Sequence, residues 1–230
     1  MTLSIDLFWS FRSPYSYLAT PRLCQMEQDY DLEINVRPVY PLAVRSREFF
    51  QRVHSQWIPY LMRDTFRISE MLGIPYRWPR PDPVVIDPMT RAATPNQPFI
   101  HRLTRLGCAA AETGRGMPFL YELSRTIWSG ETPDWHLGDH LARASARAGL
   151  DLAELDRKIE AAPDSYESII LQNQKAHADS GHWGVPTMVF EGEPFFGQDR
   201  IDVLLWRLKK NGLEGARNAQ GAYISNNRTR

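Results

Sequence analysis

Period-two alternation of apolar residues is confined to the two ends of this chain, so a sheet can form only if those ends meet. Near the N-terminus Leu3, Ile5, Leu7 and Trp9 alternate with Ser4, Asp6 and Phe8, the pattern of a strand buried on at least one face. Leu32, Ile34 and Val36 alternate with Glu33, Asn35 and Arg37 to give a second strand. Near the other end Thr187-Met188-Val189-Phe190 reads as a strand and Glu191-Gly192-Glu193 as a hairpin turn. Pro194-Phe195-Phe196 is a short return strand, with the proline suited to an edge. From about residue 45 to residue 181 the apolar spacing is helical, and such a stretch is far too long for a loop.

Two short segments sit where these ends would join. Ser13-Pro14 follows the first strand and reads as N-cap plus first helical residue. A serine there accepts from an orphan helix N–H, and proline has no N–H to lose. The helix runs towards Gln28, with Pro21 predicting a kink or a break. Gly184-Val185-Pro186-Thr187 opens the third strand as a tight, proline-fixed loop. A helix N-terminus bearing a hydroxyl, facing such a loop, is suited to holding a thiolate brought in by a small molecule.

Within the helical stretch, residues 48–72 form one long candidate helix broken at Pro59, and residues 76–95 an irregular, proline-rich loop. Thr94-Pro95-Asn96-Gln97 resembles a capping box opening a helix to about Thr113. Helices are also predicted over residues 117–128 and 136–148, and after the boxes Asp151-x-x-Glu154 and Asp164-x-x-Glu167. Ile201, Leu204, Leu205 and Leu208 mark one face of a final helix ended by Gly212. The order β-α-β, helical block, β-β-α is that of an α/β, thioredoxin-like fold with a large all-helical insertion. The expected organisation is a discontinuous thioredoxin-like domain (residues 1–44 and 182–213), a helical insertion (45–181) and a mobile or loosely docked tail (214–230).

Composition narrows the function classes. Lys+Arg 27 balances Asp+Glu 27, and without a long basic run a nucleic-acid partner is not expected. No uncharged apolar run reaches membrane-spanning length, and Met-Thr-Leu-Ser-Ile-Asp lacks the features of a signal peptide, so neither a membrane nor secretion is expected. The 2 cysteines, Cys24 and Cys108, form no Cys-x-x-Cys and read as reduced thiols in a cytoplasm. His136 and His140 share a helical spacing but lack a third ligand nearby, so no metal site is expected.

The segment Leu7-Phe8-Trp9-Ser10-Phe11-Arg12-Ser13-Pro14-Tyr15-Ser16-Tyr17-Leu18-Ala19 resembles the N-terminus of 2-hydroxychromene-2-carboxylate isomerases and kappa-class glutathione transferases. His182-Trp183-Gly184-Val185-Pro186-Thr187 resembles their proline loop, and Phe196-Gly197-Gln198-Asp199-Arg200 the segment closing their glutathione site. These families lie in the DsbA-like branch of the thioredoxin fold. The resemblance covers roughly residues 3 to 212, with its sharp motifs in the two ends.

The resemblance implies glutathione as cofactor and Ser13 as the catalytic residue that holds its sulfur. It implies a cis Val185–Pro186 peptide whose backbone pairs with glutathione, and Asp199 with Arg200 at the γ-glutamyl end. The implied activity is isomerisation or transfer on a small, aromatic-derived electrophile, in a homodimer. Each residue also has a plainer reading: Ser13 as an N-cap alone, Pro186 as an ordinary trans proline, Asp199 as an N-cap. The rival functions are a thiol- or peptide-binding module, or a relative of thiol-disulfide oxidoreductases without dithiol activity, since serines occupy both dithiol positions of Ser13-Pro14-Tyr15-Ser16. Two features differ from the family. Trp9-Ser10-Phe11 stands in place of Phe-Asp-Phe, and residues 39–47 replace a loop bearing Lys and Asn, leaving Arg45 or Arg47 as the candidate cation.

Overall fold

In a computed structural model, residues 2–216 are described. The chain forms β1 (Leu3–Trp9), α1 (Pro14–Asp29) and β2 (Leu32–Pro38). It continues through α2 (Leu42–Arg45), α3 (Phe49–Arg52), α4 (Trp57–Leu72), α5 (Ile100–Glu112), α6 (Gly116–Trp128), α7 (His140–Arg147), α8 (Leu152–Ala161) and α9 (Pro163–Asp179). It returns as β3 (Thr187–Phe190), β4 (Glu193–Phe196), a 3₁₀ turn (Gln198–Arg200) and α10 (Ile201–Lys210). The four strands form one mixed sheet in the order β2-β1-β3-β4. β1 lies parallel to β2 with Leu3 opposite Leu32. It is antiparallel to β3 with Leu7 opposite Met188, so the chain ends do meet. The turn Glu191-Gly192 has both residues at positive φ, 49° and 81°, which matches the right-handed twist of the β3–β4 hairpin.

β1 is buried on both faces. Ile5, Leu7 and Trp9 enter the main core, and Phe8 packs on the other side against His177 of α9. One buried cluster runs from the sheet through α1, α5 and α6. α1 continues through Pro21 without interruption. Buried Tyr17 and Leu18 before the proline and Leu23 and Met26 after it outweigh the roughly 3 kcal/mol that an interior proline costs.

Several helix boundaries differ from the sequence reading. Pro59 does not break α4; it lies in the first turn, where no N–H is needed, and the break falls at residues 53–56. α5 opens at Ile100 because Pro98 disfavours helical geometry at Gln97. Gln97 instead bonds both the N–H and the C=O of Val85, each at 2.9 Å. α7 starts at His140, after Gly138 adopts φ 59°. Asp151 caps α8 through the Ala153 N–H at 2.8 Å. The second box does not form: α9 begins at Pro163, and Glu167 accepts from Tyr40 Oη at 2.7 Å. In the tail, Gly215 bridges to Tyr30, and the Glu214 carbonyl accepts from the Asp31 N–H at 2.9 Å. Residues 217–230 of the tail lie outside the described residues.

His177 has a stability consequence. Its ring is fully buried, stacked on Phe8 at 4.7 Å, and neither ring nitrogen has a hydrogen-bond partner among the described residues. The nearby Gly184 N–H is taken by His182 Nδ1 at 3.0 Å. Burial, with Arg45 and His182 close by, pushes His177 down to about 4 from 6.5. The unfolded chain therefore binds a proton that the native state refuses, and stability falls as pH drops from about 6.5 towards 4. Urea unfolding of wild type and His177→Leu across this range is expected to show a pH-dependent loss shallower in the variant by roughly 2–3 kcal/mol. Parallel curves would contradict the assignment.

Candidate active site

The loop before α1 is pinned from the helical side. Trp128 Nε1 donates to the Phe11 carbonyl at 2.9 Å, and the Trp128 ring lies against Tyr17, Tyr76 and Trp78. On the sheet side Trp9 Nε1 donates to the Ser16 carbonyl at 3.1 Å and to Thr20 Oγ1 at 3.0 Å. Between these two indoles the chain turns and presents Ser13 at the tip of α1. Ser13 is the N-cap: its Oγ accepts from the Ser16 N–H at 3.1 Å.

The same hydroxyl donates across the fold to the Val185 carbonyl at 3.2 Å. Val185–Pro186 is cis. The Val185 N–H and the Tyr15 N–H have no acceptor among the described residues. The site thus offers a movable hydroxyl proton, a helix N-terminal N–H and a strand-like N–H/C=O pair. This donor set suits a peptide-like ligand carrying an anionic sulfur. A Cβ at Gly184 would run into the Phe196 ring, so glycine lets that ring close over the loop. His182 stacks on the same ring at 4.0 Å.

Ser13 and Val185 line a cleft of about 550 Å³ between the sheet end, α4 and the irregular loop of residues 76–95. Its walls are aromatic: Phe49, Trp57, Tyr60, Trp78, Trp183 and Phe196. Phe49 meets Trp57 edge-on at 5.5 Å, so the rings form one continuous surface. Tyr15 also faces the cleft; its Oη donates to Asp64 at 2.8 Å, and burial first, then that carboxylate, holds the phenol protonated well above its usual range. Arg12 forms a two-point pair with Asp82, 3.1 Å at each nitrogen, beneath Trp78.

The structure brings Ser13, Val185 and Pro186 together. Asp199 and Arg200 sit beside them on the 3₁₀ turn, which is tied to the proline loop by the Gly197 N–H donating to the Pro186 carbonyl at 2.9 Å. Both are exposed and pair with each other at 2.8 Å rather than lining the cleft. Asp199 makes no capping bond, and Asp202 pairs with Arg22 at 2.7 Å. Arg45 and Arg47 do not line the cleft either: Arg45 donates to the Trp183 carbonyl at 3.0 Å and Arg47 to the Ala93 carbonyl at 3.2 Å. His136 packs against Phe99 and Trp135, and His140 bonds Arg143. Neither cysteine lies in the cleft, and burial pushes both thiols up to about 12. Sequence reasoning missed Tyr15, Asp82, Asp87 and Arg91, the last three because they sit on a loop without periodicity.

Known proteins share this fold. A 2-hydroxychromene-2-carboxylate isomerase from Pseudomonas sp. (strain C18) is 26% identical over 219 residues, covering 92% of this chain and 91% of that protein. A solved structure of 2-hydroxychromene-2-carboxylate isomerase superposes with a TM-score of 0.68 at 22% identity, over 91% of this chain and 96% of that one. The cytosolic disulfide reductase DsbM from Pseudomonas aeruginosa, solved with GSH, superposes with a TM-score of 0.58 at 19% identity, over 90% of this chain and 100% of that one. The DSBA-like thioredoxin domain matches residues 4–209, and with a sheet of matching architecture closing around the Ser13 and Val185 loops, the chain belongs to the DsbA-like thioredoxin family.

Proposed function

We propose that this protein is a glutathione-dependent isomerase or transferase acting on a small, aromatic-derived electrophile, of the 2-hydroxychromene-2-carboxylate isomerase type. One observation carries the reading. A serine hydroxyl at a helix N-terminus faces the cis-proline loop at the end of an aromatic cleft, and no protein thiol is present there. The isomerase-named relative and the GSH-bound neighbour agree with it.

Glutathione, when bound, supplies the nucleophilic thiolate that the cleft lacks. The protein's part is to bind, orient and stabilise charge. Ser13 Oγ–H turns from the Val185 carbonyl to an anion at the helix tip and, with the Tyr15 N–H, holds negative charge there. Val185, released from Ser13, offers its N–H and C=O to a peptide backbone as an added strand would. In this reading Asp199 and Arg200 give up their mutual pair, beside the proline loop, for the charged γ-glutamyl end. The aromatic walls bind the electrophile's ring and exclude water, which strengthens the electrostatics at the reacting end.

A non-catalytic thiol-binding module would use the same contacts and differs only in turnover. The test is Ser13→Ala, assayed with glutathione and 2-hydroxychromene-2-carboxylate. A hydrogen bond to a charged group is worth about 1.5–3 kcal/mol, so kcat is expected to fall about 10- to 100-fold while glutathione still binds. The lost cap should lower stability by about 1 kcal/mol in urea unfolding. Undiminished turnover in the variant would overturn the role of Ser13, and binding of glutathione without turnover by wild type would favour the module.

A further inference from the structure

The loop of residues 86–93 lines the cleft and holds one residue in an unusual backbone conformation. Arg91 is a non-glycine residue at φ 57°, a conformation that glycine adopts at no steric cost and other side chains rarely hold. The turn around it is heavily fixed. The Asp87 carboxylate accepts the N–H groups of Met89 at 2.7 Å and Thr90 at 3.0 Å. The Asp87 carbonyl accepts from the Arg91 N–H at 2.8 Å, and its own N–H donates to the Ala92 carbonyl at 2.9 Å. Ile86 and Ala93 form a bridge at its base. From the α2–α3 side, Arg47 Nε grips the Ala93 carbonyl at 3.2 Å and Gln51 grips the Thr90 carbonyl at 2.7 Å.

This turn sets exposed Arg91 at the edge of a cleft whose other walls are mostly apolar. Two cations line that cleft, Arg12 and Arg91. Arg12 is committed to Asp82 through two nitrogens. The Arg91 guanidinium makes no hydrogen bond or ion pair with any described residue. The carboxylate nearest in sequence, Asp87, is occupied by its own turn, and those backbone N–H groups hold its pKa down so that it stays ionised in that role. Arg45 and Arg47, the cations expected from the sequence at this site, are bound to backbone carbonyls. The positive charge available to a ligand has therefore passed to the loop that Arg47 braces.

We propose that Arg91 is a specificity-determining residue that holds a single anionic group, a carboxylate, of a planar aromatic substrate lying between the cleft's aromatic walls. Which end of that substrate reacts rests on the proposed function: the carboxylate sits at Arg91 and the reacting carbon at Ser13. Strain at Arg91 is retained because a glycine at this position would leave the cleft without a free cation.

The test reads binding alone, by quenching of the cleft tryptophans with 2-naphthoate and its neutral isostere 2-naphthamide, so neither glutathione nor turnover is involved. Wild type is expected to bind the acid about tenfold more tightly than the amide, with a preference that shrinks as salt rises. In Arg91→Gly the preference should fall to within about twofold while amide binding is unchanged, and Arg91→Lys should restore part of it. Because glycine suits the left-handed backbone, Arg91→Gly should keep its Tm within about 3 °C, so loss of fold is not the cause. Equal binding of acid and amide by wild type, or a preference that survives in Arg91→Gly, would overturn the proposal. Failure of Ser13→Ala to impair turnover would leave this result untouched, which separates the two readings.

Discussion

Three antiparallel residue pairs, Asp6–Val189, Leu7–Met188 and Phe8–Thr187, close this chain upon itself. All later geometry follows from that short pairing. It sets the end of β1 beside the start of β3, so that the turn leaving one strand faces the loop entering the other. Residues 172 apart in sequence then come within a hydrogen bond, Ser13 to Val185. Phe8, buried on the face opposite Trp9, carries the pairing outward to α9 through His177. The loops of the candidate site are therefore braced on one side by the Trp128 and Trp9 indoles and on the other by the buried Phe8–His177 stack.

The chemistry rests on a charge argument. A helix N-terminus favours an anion by about 0.3–1 kcal/mol at an exposed position and up to about 2 kcal/mol when partly buried. A hydroxyl donating to a charged sulfur adds about 1.5–3 kcal/mol. The helix terminus alone does not make a thiol largely ionised at neutral pH, but with the hydroxyl the middle of these ranges sums to about 3 kcal/mol, roughly two pH units. No cationic side chain needs to supply this charge: Arg12, the nearest in sequence, is paired with Asp82. Ser16, where a second thiol would stand in a dithiol pair, is fully buried, which leaves dithiol exchange without a residue to perform it.

The ends of the chain were legible because their signals are local. Alternation gave β1 and β2, Ser13-Pro14 gave the start of α1, and Glu191-Gly192 gave the hairpin, each from a few neighbouring residues. Helix boundaries in the middle were less legible. Gln97 fits a capping box by spacing, yet its amide bonds residue 85, and a single proline at 98 decides the matter. Glu167 fits another box, yet it faces Tyr40 and Arg105 across the fold. In both cases a tertiary partner outcompeted a local one. The cleft itself was least legible. Aromatics such as Trp57, Tyr60 and Trp78 were visible as candidates to pack the helical block or line a pocket, but nothing in the sequence assigns Asp87 or Arg91 to the same space as Ser13, since the loop carrying them has no periodic pattern. The two arginines that sequence position favoured as site cations became braces for the proline loop and for the loop bearing Arg91.

Ser13, at the tip of α1, is proposed to stabilise a sulfur anion. Ultraviolet titration of glutathione bound to the wild-type protein measures it directly, because thiolate absorbs where thiol does not. The bound thiol is expected to ionise about two pH units below the free value of roughly 8.5, and Ser13→Ala to return it upward by about one unit or more. A bound thiol that titrates like free glutathione, or one whose titration Ser13→Ala leaves unmoved, would contradict it.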